Sequence, residues 1–153
     1  MRKKDLAPLL PTILPLAVQW AEKQSAEIQR SGVGLSPADM ELARCVGVSS
    51  PEKVRVMESP SIELPENFIV REASITAGLL GPNTLGLALG HSIFINQVRF
   101  SKRLLSHELR HVSQFEQFGS ISAFLAEYLL QIVTYGYESA PLEIDARSHE
   151  VHT

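Results

Sequence analysis

His107, Glu108 and His111 fall within five consecutive positions, His107-Glu108-Leu109-Arg110-His111. In a helix, residues four apart lie on one face, so both imidazoles can direct a nitrogen at one ion. Glu108 is turned about 100° around the axis from His107. That offset makes it a poor ligand for the same ion but leaves it within reach of a water there. Zinc lowers the pKa of such a water toward ~7, and a neighbouring carboxylate can take its proton and pass it to a leaving amine. Histidine-glutamate-x-x-histidine on a helix is the pattern this chemistry requires. A solvated helix face could carry the same residues. Here Leu104, Leu105, Leu109 and Val112 predict a helix packed on a core, as a metal site needs.

Catalytic zinc keeps three protein ligands and one open position. Glu116, Glu127, Glu138, Glu143, Asp145, His149, Glu150 and His152 are available downstream. Glu116 continues the same helix five residues beyond His111 and points away. Glu127 lies in an apolar helix, where it is either a ligand or that helix's one wet position. Glu143 is the first choice, because Pro141 opens a short helix that fixes its setting. The two preceding helices form a hairpin that returns the chain toward the histidines. The helix macrodipole alone would also favour an acidic residue in a first turn, so the histidine pair decides the reading.

The positioning elements follow from periodicity and punctuation. Lys102 to Phe118 reads as a helix ended by Gly119. "SISAFLAEYLLQIVTYG" reads as a second helix, apolar nearly all round and so central to the core. "PLEIDARSHE" is the last, short helix. Upstream, "LSPADMELARCVGV" starts a helix at Ser36 and Pro37, and Leu16 to Arg30 is amphipathic. Pro65 opens "ENFIVREASITAGLL", closed by Gly81-Pro82-Asn83. "EKVRVME" alternates as a strand, and Ile93-Phe94-Ile95 is the β-favouring part of "LGLALGHSIFINQ". Residues 1–15, broken by Pro8, Pro11 and Pro15, predict an extended lead-in to the first helix. The inventory defines an α+β fold, helix-rich with a small sheet, as one domain over 1–153 with its metal-site core at 86–147.

"SHELRHVSQFEQFG…YGYESAPLEIDAR" resembles the small zincin-like metallopeptidase domains of bacteria, and more distantly the gluzincins. The resemblance covers Gly86 to Arg147. It implies His107 and His111 as zinc ligands, Glu143 as the third, Glu108 as general base, and a peptide or protein as substrate. It also implies that "ALGHSIFIN" is the strand lining the substrate cleft. One departure concerns the support of a ligand histidine. Many gluzincins carry an aspartate four residues after the ligand glutamate, whereas here Asp145 comes after two and Arg147 holds the fourth place. Tyr137 and Tyr135 are the candidates to stabilise an oxyanion.

Bulk composition narrows the alternatives. With 14 basic and 17 acidic residues, a net charge of −3 gives no global attraction to phosphate backbones, so no nucleic-acid partner is expected. Cys45, the single cysteine, excludes an intrachain disulfide and a thiolate-rich zinc site; a buried, inert thiol is expected. The apolar amino-terminal run is too short to span a bilayer. A cytoplasmic location is expected, with export and membrane contact of the amino terminus left open. Two rival readings stand beside hydrolysis. One is a zinc-stabilised binding module with a closed four-ligand site that takes in His149 or His91. The other is a partner- or membrane-docking protein led by residues 1–15. His91 and Trp20 read as structural, and Arg110 as the partner of a carboxylate.

Overall fold

Alternation in Ser92-Ile93-Phe94-Ile95-Asn96 sets the layers of the fold. In the computed structural model, which describes residues 1–152, this segment is a strand buried along its whole length. The helices among the described residues are α1 (Leu6–Ser31), α2 (Pro37–Cys45), α3 (Phe68–Thr76), α4 (Lys102–Phe118), α5 (Ile121–Tyr135) and α6 (Pro141–Ser148). The strands are β1 (Val33–Gly34), β2 (Arg55–Ser59), β3 (Gly86–Leu89) and β4 (Ser92–Asn96), in the spatial order β1-β2-β4-β3. β2 runs parallel to β4, and the other two pairings are antiparallel. The fold is α+β, helix-rich around a small mixed sheet.

Ile93 and Ile95 face α2 and α4, where they meet Leu105, Leu109 and Val112. Phe94 faces α1 and packs with Ile28 and Trp20. The sheet is thus a middle layer between α1 and the α2–α4 pair. α4 lies with its apolar stripe on the sheet, and its ends match their sequence signals. Ser101 caps the first turn by accepting the Leu104 N–H, and Gly119 ends the helix in the left-handed region at φ 91°.

Three elements depart from the sequence-based expectation. Residues 1–15 are not an extended lead-in, since α1 begins at Leu6 and carries Pro11 and Pro15 inside it. Pro8, Pro11 and Pro15 all lie on its exposed side. The carbonyls they leave without an N–H donor can therefore turn to solvent. Leu6 and Ile13 on the opposite side pack on Val70 and Ala73 of α3, so tertiary burial outweighs the poor helix propensity.

"LGLALGHSIFINQ" is a hairpin, so the expected strand "ALGHSIFIN" is divided between two strands. It turns at Gly90, which has φ 67°, and it makes β3 the edge strand and β4 an interior one. α5 is apolar nearly all round yet not central. Phe124 and Ile132 are its buried residues, while Leu130 and Tyr135 are about half exposed. It closes one side of the molecule against α1, α4 and α6. Cys45 is exposed at the end of α2 rather than buried. No helix among the described residues is long and apolar enough to cross a membrane.

Candidate metal centre

α4 and α6 bring His107, His111 and Glu143 together, with one ligand atom from each lying within 4.8 Å of the others. Nε2 of His107 is 3.1 Å from Glu143 Oε1, and Nε2 of His111 is 3.0 Å from Glu143 Oε2. His111 is 6% exposed and Glu143 2%. Burying a carboxylate so completely is costly unless it meets positive charge.

The first turn of α6 is held on two sides. Ala140 at its N-cap offers no side-chain acceptor. Gln131 of α5 supplies one instead, taking the Leu142 N–H at 2.8 Å. From α4, Gln114 Nε2 donates to the Leu142 carbonyl at 2.9 Å and to Asp145 Oδ2 at 2.8 Å. Glu143 sits between these two anchors. Its Oε2 also accepts the Tyr128 hydroxyl at 2.6 Å.

Proton accounting tests whether a cation fits. Both partners of Gln114 Nε2 are acceptors, so the amide orientation is fixed and Oε1 faces His111 Nδ1 at 2.8 Å. That ring nitrogen must carry hydrogen. Glu150 Oε2 does the same for His107 Nδ1 at 2.7 Å. A neutral imidazole so oriented presents a lone pair at Nε2, and both Nε2 atoms face the lone pairs of one carboxylate. Either protons on both rings or a divalent cation must lie between them. Two imidazoles and a carboxylate, each oriented by a further hydrogen bond, is a donor set that suits zinc.

The electrostatics point the same way. Burial opposes charge on His107, but the Glu143 hydrogen bond and the nearby Glu108 outweigh it and push the pKa up to about 9. His111 is raised against its own burial by the same two carboxylates. Burial would raise Glu143, yet its hydrogen bonds to the two imidazoles hold it well below the usual carboxylate range. Burial pushes Tyr128 up, and the negative charge of Glu143 adds to this, keeping it a neutral hydrogen-bond donor.

Glu108 is placed differently from the three clustered side chains. It is 5% exposed and its Oε2 has no hydrogen-bond partner among the described residues. Burial pushes its carboxyl pKa up. A buried carboxylate oxygen without a partner is expensive. Gly86 of β3 crosses directly over it, where a Cβ would lie 3.3 Å from Glu108 Cγ.

Two spaces meet at Glu108. One is an open cleft of about 540 Å³, bordered by Gly78 to Gly86, His107, Tyr137, Arg147 and Glu150. The other is an apolar cavity of about 140 Å³ between α1, α3, α5 and β3. Tyr137 borders both.

The remaining expected residues lie elsewhere. Glu116 accepts the Ser49 and Ser50 N–H groups and pairs with His91 at 3.0 Å. Glu127 takes a hydrogen bond from Gln131, and Glu138 is exposed; neither joins the cluster. His149 stays with Asp145, and His152 is exposed. Tyr135 is 58% exposed and borders neither space. Arg110 pairs with Asp145 at 2.8 Å, as a partner of a carboxylate should. Asp145 also reaches His111 through Gln114, so the support missing from the fourth place comes from the second.

Glu150, expected as a candidate third ligand, instead accepts from His107 Nδ1, while Tyr128 and Gln114 were not singled out for the site by sequence reasoning. Gln114 had an available signal, its position three residues after His111 on the same helical face. Comparison with family models, with curated proteins and with solved structures finds no match.

Proposed function

We propose that the protein is a zinc-dependent peptidase, with His107, His111 and Glu143 as ligands and Glu108 as general base. The observation that carries this reading is the convergence of both Nε2 atoms on Glu143, beside a buried carboxylate oxygen without a partner. When bound, zinc supplies Lewis acidity, making water more acidic and polarising a carbonyl.

The chain's own residues do the rest. Glu150 and Gln114 hold the ring tautomers, and Tyr128 holds Glu143. Glu108 accepts a proton from the attacking water as the carbon–oxygen bond forms. It returns that proton to the amine nitrogen as the carbon–nitrogen bond breaks. Tyr137, at the junction of cleft and cavity, is the tyrosine positioned to donate to the oxyanion. An extended peptide lies along β3, the edge strand, because β4 already pairs on both sides.

Neither rival reading gains an observation of its own. A closed four-ligand site would need His91 or His149, and both are engaged with other acids. A docking role for residues 1–15 would need their apolar side chains free, whereas Leu6 and Ile13 are buried.

Elemental analysis of wild type, His107→Ala and Glu143→Ala tests the ligands. One equivalent of zinc in wild type and loss in both variants is expected. Glu108→Gln should keep zinc while cleavage of an unfolded protein substrate falls by at least about a hundredfold. Full turnover in that variant would remove Glu108 from its role.

A further inference from the structure

A third space lies away from the metal centre and shares no bordering residue with the two that meet at Glu108. It is an open recess of about 410 Å³ where the β3–β4 turn meets α1, the start of β2, the end of α4 and the start of α5. Small-molecule sites commonly occupy roughly 300–1,000 Å³.

Part of its wall is an imidazole with a carboxylate behind it. His91 borders the recess and Glu116 does not. Glu116 accepts the Ser49 and Ser50 N–H groups at 2.7 and 3.0 Å and meets His91 Nε2 at 3.0 Å. An ionised carboxylate only accepts, so Nε2 carries the hydrogen. In the neutral ring Nδ1 then offers a lone pair, and it has no hydrogen-bond partner among the described residues.

Charge stands next to this imidazole, since the Arg55 N–H donates to the His91 carbonyl at 3.0 Å. Arg55, Lys53 and Glu52 all border the recess. None of the ion pairs among the described residues involves any of the three. Arg55 is half-buried and directs Nη1 at the carbonyls of Glu52 and Val54. Its Nε and Nη2 are left to hold a carboxylate as a fork. Phe115 and Ile121 add an apolar border. Two cations, one carboxylate, a lone-pair acceptor and apolar surface together complement a zwitterion with an apolar group. A phosphate would meet Glu52 and the imidazole lone pair, and a purely apolar ligand would leave all three charges unmatched.

We propose that this recess binds a free α-amino acid with an aromatic or branched aliphatic side chain. Arg55 and Lys53 take its carboxylate, Glu52 and His91 Nδ1 its ammonium, and Phe115 and Ile121 its side chain. The site does not depend on the peptidase reading.

Calorimetry with phenylalanine and leucine tests this, on protein as purified and again after dialysis against a chelator. Affinity should be the same in both, because the metal centre lies elsewhere. Phenylalaninamide lacks the carboxylate and N-acetylphenylalanine the ammonium, so each should bind about tenfold more weakly than phenylalanine. Glycine, without the apolar group, should lose about tenfold as well. Lys53→Gln and Glu52→Gln alter exposed side chains and should each weaken phenylalanine by about two- to fivefold; Arg55→Gln should weaken it by about tenfold. Binding of neither amino acid, or binding lost with the metal, overturns the proposal. N-acetylphenylalanine bound as tightly as phenylalanine makes the carboxyl end of a peptide the ligand and overturns the free amino acid. Unchanged affinity in all three variants places the ligand elsewhere and overturns the site.

Discussion

Nδ1 of His107 lies 2.7 Å from Glu150, 43 positions away in the chain. Glu150 is held in turn by Arg103 at 2.7 Å. Glu150, a candidate third ligand in the sequence, therefore orients one of the two imidazoles instead, and Gln114 does the same for the other. Partners of this kind typically matter by about 10- to 100-fold in metal affinity. Glu150→Gln and Gln114→Leu should each weaken zinc binding by that factor, read by competition with a chromogenic chelator. Affinity unchanged in both would mean the rings are oriented by packing alone.

The histidine pair predicts opposite pH trends with and without metal. In chelator-treated protein, the folded pKa of His107 is raised from 6.5 to about 9. Its contribution to stability is fully present below pH 6.5 and is lost as pH rises through about 9. The melting temperature should fall across that window. With zinc, protons compete for the same nitrogens, so affinity should rise by about tenfold per pH unit for each proton displaced. Scanning calorimetry on both forms checks the crossing trends; parallel curves would be inconsistent with imidazole protonation controlling the site.

Gly86 lets β3 pass close over Glu108, the proposed general base. A Cβ at that position meets Glu108, Leu104 and the Phe94 carbonyl, each at 3.3 Å. Gly86→Val places two more carbons in that space, where Glu108 must give way. Turnover should fall by about a hundredfold, the effect of a displacement near 1 Å, while zinc content stays at the wild-type level. Loss of zinc together with activity would instead indicate wider damage to α4.

The exposed prolines of α1 predict a stabilised variant. Pro11→Ala restores an N–H donor in the helix interior, a change of about 3 kcal/mol in helix propensity. The greater freedom of the unfolded chain offsets about 1 kcal/mol of this. The melting temperature should rise by about 4–8 °C, and destabilisation would show that this proline shapes the packing of α1.

The clearest parts of the fold in the sequence are those with local punctuation. α4 runs between its Ser101 cap and Gly119, and α2 starts at Ser36 and Pro37 as read from type alone. Glu143 was reachable because Pro141 marks the start of α6. What escaped depends on distant packing. Tyr128 reads as one more large residue of an apolar helix, and only the approach of α6 makes it a partner of Glu143. The prolines of α1 read as helix breakers, since nothing local shows that α3 will bury the opposite face. The resemblance makes "ALGHSIFIN" one strand, and the two-residue turn Gly90-His91, with its glycine at the first central position, is the local hairpin signal that reading passes over.

The segment from Gly81 to Thr84 borders the open cleft and lies outside both the His107–His111–Glu143 cluster and the strands. Its length and composition can change while α4 and α6 keep their grip. Under the proposed peptidase reading, one rim of the cleft is a piece of chain separable from the residues of the metal site, and four positions there can be rewritten while the scaffold stands.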